Sequence, residues 1–230
     1  KIIKNTGLYT LSTFLLRASS IIFFPVFSLY LTDTDYGILS ITQSISLIIS
    51  VMAGLGINRS ITRFLYYEAE KANHSHDSII FTSLFTSFGL QSILIFIIIL
   101  FHRLIPESLL NGIDFYPYVF VAIITIPFNS VIEVAKTYFK SIQDGKKVFY
   151  LDMSFFSLNI LFNLLFVAIF RFDVIGIFYG VFINNILFSF ILYLIFYRKF
   201  TFTYDTSLLK RILRYCIPLV PYVVLNIIFE

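Results

Sequence analysis

An arginine in the first apolar stretch is the residue whose type and position most clearly predict a chemical role. Arg17 stands about halfway along the apolar residues 5–31. A cation at the centre of a bilayer costs about 2.5–3.5 kcal/mol on insertion scales, so such a residue usually faces a cavity or a charged partner. A guanidinium also binds two phosphate oxygens at once. Arg17 is therefore our first candidate for contact with an anionic substrate.

Further polar side chains recur in later apolar stretches. They are Asn129, Glu133, Lys136, Asp152, Asn159, Asn163, Asn184 and Asn185. Of these, Glu133, Lys136 and Asp152 lie nearer the end of their stretch than Arg17 does. Glu133 and Lys136 are spaced i, i+3, which predicts a pair on one helix face. The asparagines supply either hydrogen bonds between helices or contacts to a ligand, and both interpretations stay open. Two roles stay open for Glu133. It neutralises the charge of Arg17 or of Lys136, or it takes part in substrate binding.

Two more arginines, Arg59 and Arg63, follow the second apolar stretch at a spacing of i, i+4. One interpretation is that they contact anionic lipid headgroups at the membrane surface. The other is that they gather an anionic head group at a cytoplasmic entrance.

These residues are positioned by a chain whose composition predicts a membrane protein. It has 230 residues, of which 58% are hydrophobic and 13% charged, whereas soluble domains have about 45–50% apolar and 25% charged residues. Each span needs about 20 apolar residues. The predicted spans are residues 5–31, 37–57, 79–101, 115–139, 148–170 and 174–197, with a seventh beginning near Tyr215. The run 93–100 does not alternate as a β-barrel strand would, so we predict an all-α polytopic bundle.

The basic residues predict the orientation of this bundle. Fourteen of the 17 Lys and Arg residues fall before span 1, after spans 2 and 6, or at the end of span 4 and in the loop that follows it, while only Arg103 and Arg171 fall in the opposite loops. Such a bias places the N-terminus and the basic loops in the cytoplasm. Residues 207–215 separate apolar from basic side chains at helical spacing. They are either a short interfacial helix or an extension of the seventh span.

Catalytic and cofactor-binding motifs are missing from the sequence. It contains no Gly-rich phosphate loop, no cysteine pair and no His-Glu zinc spacing, and His74 and His76 lie in a polar loop. The single Cys216 precludes an internal disulfide. We expect no metal, no cofactor and no enzymatic activity, so any transport is driven by a gradient, the membrane potential or a partner. The net charge of +4 is accounted for by the loops, and we expect no nucleic-acid partner.

Four segments resemble the polysaccharide biosynthesis flippases of the MOP (multidrug/oligosaccharidyl-lipid/polysaccharide) superfamily. They are residues 14–27 (FLLRASSIIFFPVF), 30–37 (YLTDTDYG), 54–64 (GLGINRSITRF) and 215–221 (YCIPLVP). The resemblance extends over the whole chain and implies a MATE-like lobe. Residues 1–200 would form an N-terminal six-helix lobe, and residues 201–230 a cytoplasmic linker with the start of a second lobe, which is cut short here.

What the resemblance implies is export of an undecaprenyl-diphosphate-linked oligosaccharide across a bacterial cytoplasmic membrane, by alternating access, for surface polysaccharides such as capsule or the O-antigen of lipopolysaccharide. Arg17 would bind the diphosphate, while Arg59, Arg63, Lys136 and Lys140 would line the approach. Asn159, Asn163 and Asn184 would contact sugar hydroxyls. Polysaccharide polymerases and glycosyltransferases are possible partners beside the lipid-linked substrate and membrane lipids.

Three other functions compete with this one. A cation-coupled drug exporter of the same superfamily would favour deep acidic residues, whereas the deep charge here is Arg17. A membrane-embedded glycan polymerase or transferase would need a large outer loop, and the predicted outer loops are short. A membrane scaffold without transport would leave Arg17 unexplained.

Overall fold

The computed structural model describes residues 2–71, 76–110, 112–201 and 203–222, and within them it does not describe the side chains of residues 2–4, 16–24, 26, 59, 67–71, 107, 108, 199 and 219. These residues form helices joined by turns, with no strand in the described part of the chain. The helices are α1 Ile2–Phe27, α2 Asp33–Gly54, α3 Ile57–Lys71, α4 His76–Leu100, α5 Glu107–Leu110, α6 Phe120–Ile124, α7 Ile126–Ser141, α8 Gly145–Leu164, α9 Asp173–Lys199 and α10 Thr206–Cys216. The predicted all-α class is confirmed.

Five segments are long and apolar enough to cross a membrane. They are Asp33–Gly54, His76–Leu100, Phe115–Ser141, Gly145–Ile169 and Asp173–Arg198. Each coincides with a predicted span to within a few residues. The first predicted span falls in α1, a helix of 26 residues and therefore about 39 Å long. The predicted seventh span runs into residues 223–230, which lie outside the described part, so the number of spans and the orientation stay predictions.

Local sequence explains where α2 begins and ends. Thr32 and Asp35 form a capping box: the Asp35 N–H donates to the Thr32 hydroxyl (3.4 Å), and the Thr32 N–H donates to the Asp35 carboxylate (2.8 Å). This box satisfies N–H groups that the first helical turn leaves free. Leu55 and Gly56 adopt positive φ angles of 47° and 67°, which end α2 and redirect the chain into α3.

α3 is helical where the sequence suggested a loop bearing Arg59, Arg63 and Lys71. Ile57, Ile61 and Phe64 are buried, and α3 packs on α4 and α7. α10 also buries one apolar face, because Leu208 and Ile212 are fully buried and the helix packs on α3 and α4. α10 is thus amphipathic, and a 3₁₀ turn at Ile217–Leu219 joins it directly to helical residues 220–222, so both predicted forms of this segment stay open.

The segments that carry the basic residues meet at one end of the bundle. The Asn5 amide donates to the Gln143 carbonyl (2.6 Å), and Thr62 and Ser141 share a hydrogen bond of 3.0 Å. Thr201 donates to Asp77 through its N–H at 2.9 Å. We call this the basic end. The hydrophobic core at the basic end is the largest apolar cluster of the described residues, and it is built from α3, α4, α7, α8, α9 and α10. Two smaller apolar clusters lie nearer the opposite end.

Candidate functional site

A pocket with a volume of about 380 Å³, lined by eight apolar and seven polar residues, lies between α2, the α6–α7 segment, α8 and α9, and we call it the polar pocket after the latter. Each of these four walls contributes one carboxamide: Gln43, Asn129, Asn159 and Asn185. Every one of them stands near the middle of its membrane-crossing segment. The pocket is therefore at the depth where water is scarce and where hydrogen-bonding groups are most costly to maintain.

The pocket contains hydrogen-bonding atoms that the protein itself does not satisfy. The Asn185 amide donates to the Val181 carbonyl (2.8 Å), but the Asn185 side-chain oxygen and the Ser46 hydroxyl are buried without a partner. The Asn159 oxygen accepts a hydrogen bond from the Asn163 amide (2.8 Å). Buried polar atoms are normally paired, so these two atoms fit a ligand that offers hydrogen bonds.

The described side chains that line the pocket carry no charge. Beside the four carboxamides, its polar lining consists of Ser46, Ser50 and Thr125. Carboxamides and hydroxyls each donate and accept hydrogen bonds. Such a lining suits a neutral ligand with many hydroxyl groups better than a cation, which would need a carboxylate nearby.

A cluster of three charged side chains, with Asp152 buried and Lys136 and Glu133 partly exposed, lies between this pocket and the basic end. The Lys136 ammonium is 3.1 Å from the Asp152 carboxylate and 3.7 Å from that of Glu133. The predicted Glu133–Lys136 pair is thus present, but Asp152 on the neighbouring helix is the closer partner. Lys136 also lies 5.4 Å from the ring centre of Phe155, which lines the pocket.

Helical spacing connects this cluster to the pocket. Asn129, Glu133 and Lys136 share one face of α7 at i, i+4 and i+7, and Asp152 and Asn159 share one face of α8 at i and i+7. Polar groups therefore continue along α7 and α8 from the basic end to the middle of the bundle. Lys140 extends the α7 face to the exposed surface.

Two of the predicted sugar-binding asparagines lie in helix contacts beside the pocket. The Asn184 amide donates to the backbone carbonyl of Phe155 (3.2 Å). The Asn163 side chain lies against Gly180, where a Cβ atom would come 2.6 Å from its oxygen. Both join α8 to α9. Asn159 is the predicted sugar contact that lines the pocket.

The pocket lining includes residues that were not predicted from the sequence as site residues. Gln43, Ser46 and Ser50 recur at i, i+3 and i+7 on α2 and face the pocket together. That spacing is visible in the sequence, but single serines are common in apolar helices and do not by themselves predict a binding site. Thr125 was missed for the same reason.

The predicted arginines are placed as follows. Arg63 is exposed and its guanidinium lies 4.2 Å from the ring centre of Tyr215. The side chains of Arg17 and Arg59 lie outside the described part. The backbone of α1 begins beside α8, where Asn5 contacts Gly145, and the two helices pack together. Because Arg17 and Ser157 each come twelve residues later, equal helical rise places the Arg17 backbone near the depth of Asn159.

Comparisons with known proteins add family and fold to this geometry. A family model described as "Polysaccharide biosynthesis protein" matches residues 2–229. One similar solved structure is an outward-facing multidrug resistance MATE family transporter of the MOP superfamily, with a TM-score of 0.66, 17% identity, and coverage of 96% of this chain and 50% of that chain. Another is a crystal structure of a MATE mutant, with a TM-score of 0.61, 17% identity and coverage of 94% and 50%.

The chain therefore spans half the length of these two structural neighbours. A search among the curated proteins gave no match.

Proposed function

This chain belongs to the polysaccharide biosynthesis protein family, and we propose from that membership and from the polar pocket that it is one lobe of a lipid-linked oligosaccharide flippase. The family membership and the MATE-like fold support a membrane transporter. The finer statement is our proposal: the substrate is an oligosaccharide on undecaprenyl diphosphate, carried across a bacterial cytoplasmic membrane.

The observation that carries this proposal is the set of four carboxamides at mid-depth. A sugar moving through a bilayer loses its hydration, and each unsatisfied hydroxyl costs free energy. Gln43, Asn129, Asn159 and Asn185 would replace water by donating to and accepting from those hydroxyls. The unpaired oxygen of Asn185 would gain a partner when the sugar arrives.

The charges near the basic end would receive the diphosphate. Lys136 is neutralised by Asp152 and Glu133 in the absence of substrate. A diphosphate could displace one carboxylate and bind the ammonium, since charge-assisted hydrogen bonds are the stronger class. Arg17 would bind phosphate deeper in the bundle, and Arg59, Arg63 and Lys140 would attract the head group at the surface.

Transport would follow from rocking of this lobe against a second lobe around the substrate, as in other transporters with repeated lobes. The pocket would then open alternately to the two sides of the membrane. Polar groups along α7 and α8 would lower the free-energy barrier to movement of the head group from the basic end to the pocket. The head group would have a hydrogen-bond partner at each step.

A complementation experiment tests this proposal. The full-length protein would be expressed in a strain that lacks its glycan flippase, and surface glycan would be measured with a specific antibody. We expect Gln43→Leu combined with Asn129→Leu to reduce export by about tenfold, because about two hydrogen bonds of 0.5–1.5 kcal/mol are lost. The matched control is Ser44→Leu, which alters the exposed neighbour of Gln43 outside the pocket lining. Normal export by the double variant, with equal expression, would contradict the proposal.

A second candidate is a cation-coupled multidrug exporter, favoured by the fold of the two structural neighbours. Glu133, whose side chain is 43% exposed, would then bind the cation or the drug. Resistance to cationic drugs that depends on Glu133, together with unchanged surface glycan, would identify this alternative.

A further inference from the structure

An aromatic groove lies on a different face of the bundle from the polar pocket. It has a volume of about 290 Å³ and is enclosed by α4, α7 and α9. Phe85 and Phe88 contribute from α4, Phe128 from α7, and Phe190 and Tyr193 from α9. Phe85, Phe190 and Tyr193 are 40–60% exposed on the side of the bundle, so the groove opens towards the bilayer.

The lining of the groove is mainly apolar. Its polar lining residues are Ser189 and Tyr193, and the Ser189 hydroxyl already donates to the Ile186 carbonyl (2.9 Å). Phe88 packs edge-on against Phe128, with ring centres 5.7 Å apart, which stiffens one wall. An unfilled groove of this kind would forfeit the dispersion contacts of its lining atoms, so a chain from the membrane would occupy it.

The position of the groove indicates which kind of chain this is. Phe81 comes five residues after the start of α4, and Tyr193 comes five residues before Arg198. The groove therefore runs from near the basic end towards mid-depth. Arg198 is exposed at that end, while the neighbouring Asp77 carboxylate is bonded to Thr201. An apolar groove that begins at an end of the bundle rich in basic residues matches an amphiphile with an anionic head and a long apolar tail.

From this arrangement we propose that the groove holds the isoprenoid tail of the lipid-linked substrate while its head group waits at the basic end. The inference rests on the proposed function, which supplies the identity of the lipid. Because Phe128 and Val131 face the groove while Ile126 and Asn129 face the pocket, α7 separates the tail from the sugar. The groove would act as a loading site before the sugar enters the pocket.

Site-specific photocrosslinking in membranes tests this inference. A photoreactive phenylalanine analogue would replace Phe85 in the full-length protein, and the matched control would replace Ile97. Ile97 is on the same helix, is 45% exposed against 40% for Phe85, and lies outside the groove lining. After irradiation, mass spectrometry would identify the adducts, with polyprenyl diphosphate-linked glycan as the added probe.

We expect polyprenyl adducts at position 85 to exceed those at position 97 by about tenfold, and Val131→Phe, which fills the groove, to remove the difference. Equal yields at both positions, phospholipid adducts alone, or a crosslink to another protein segment at position 85 would each overturn the inference. Glycan export is measured separately, so normal export with only phospholipid in the groove would reject the tail site and leave the proposed function standing.

Discussion

The Lys136 ammonium on α7 and the Asp152 carboxylate on α8 lie 3.1 Å apart, with side-chain exposures of 15% and 8%. Ions in such a place have lost most of their hydration, and their mutual attraction is the main compensation, to which Glu133 adds at 3.7 Å from the ammonium. The pair therefore joins two helices that also carry the pocket asparagines Asn129 and Asn159.

Removing one member of this pair should destabilise the protein strongly. Asp152→Leu leaves the ammonium buried beside the more exposed Glu133, and we expect a loss of about 3–5 kcal/mol, read as a lower unfolding temperature in detergent. The double variant Lys136→Met with Asp152→Leu should recover most of that loss but not glycan export. Recovery of both stability and export would show that the pair has no part in transport.

The contact between α8 and α9 at Gly180 should tolerate no side chain. A Cβ there would meet the Asn163 oxygen at 2.6 Å and the Asn163 backbone nitrogen at 3.1 Å. We expect Gly180→Ala to cost about 1–3 kcal/mol through overpacking. The matched control is Gly89→Ala in the middle of α4, where nothing lies within 4 Å of the new Cβ. Similar unfolding temperatures for the two variants would contradict the close packing of α8 on α9.

The fold was largely predictable because membrane spans are long and apolar, whereas the site was predictable only in part. The spans near Phe115, Gly145 and Asp173 follow from hydropathy alone. α3 was missed because its 15 residues are too short and too polar for a span, and its helical state depends on burying Ile57 and Ile61 against other helices. Asp152 as the main partner of Lys136 depends on how α7 packs on α8, which sequence spacing within one helix does not show.

The orientation of the chain can be tested by cysteine labelling. Lys146 is exposed at the basic end and Arg171 is exposed at the opposite end. In a Cys216→Ser background, we expect a membrane-impermeant maleimide to label Arg171→Cys in intact cells and Lys146→Cys only after permeabilisation. The reverse pattern would place the N-terminus outside.

Cys216 in the unaltered protein should react slowly with a maleimide. It is fully buried in α10, outside the five segments that could cross a membrane. Burial raises the pKa of its thiol, and a hydrogen bond with Ser60 opposes that rise less strongly. Since the thiolate is the reactive form, we expect labelling at pH 7 to be slow until the protein unfolds. Rapid labelling of the native protein would contradict the packing of α10.

Arg17 provides a prediction that separates charge from shape. We expect Arg17→Ala to abolish glycan export while the protein still inserts, because the diphosphate would lose a deep cationic contact. Arg17→Lys should restore part of the export, since an ammonium keeps the charge but not the bidentate geometry. Expression and membrane insertion of both variants would be measured by blotting. Export at the normal level by Arg17→Ala would remove this residue from the substrate pathway.

Flipping by the purified full-length protein in proteoliposomes tests the central claim most directly. A fluorescent oligosaccharide on undecaprenyl diphosphate would be placed in the bilayer, and its movement would be followed by quenching from outside. We expect the protein to accelerate flipping, the Gln43→Leu and Asn129→Leu double variant to be about tenfold slower, and Ser44→Leu to match the unaltered protein. Equal rates for all three proteins, or no acceleration with transport of a cationic drug instead, would contradict the account.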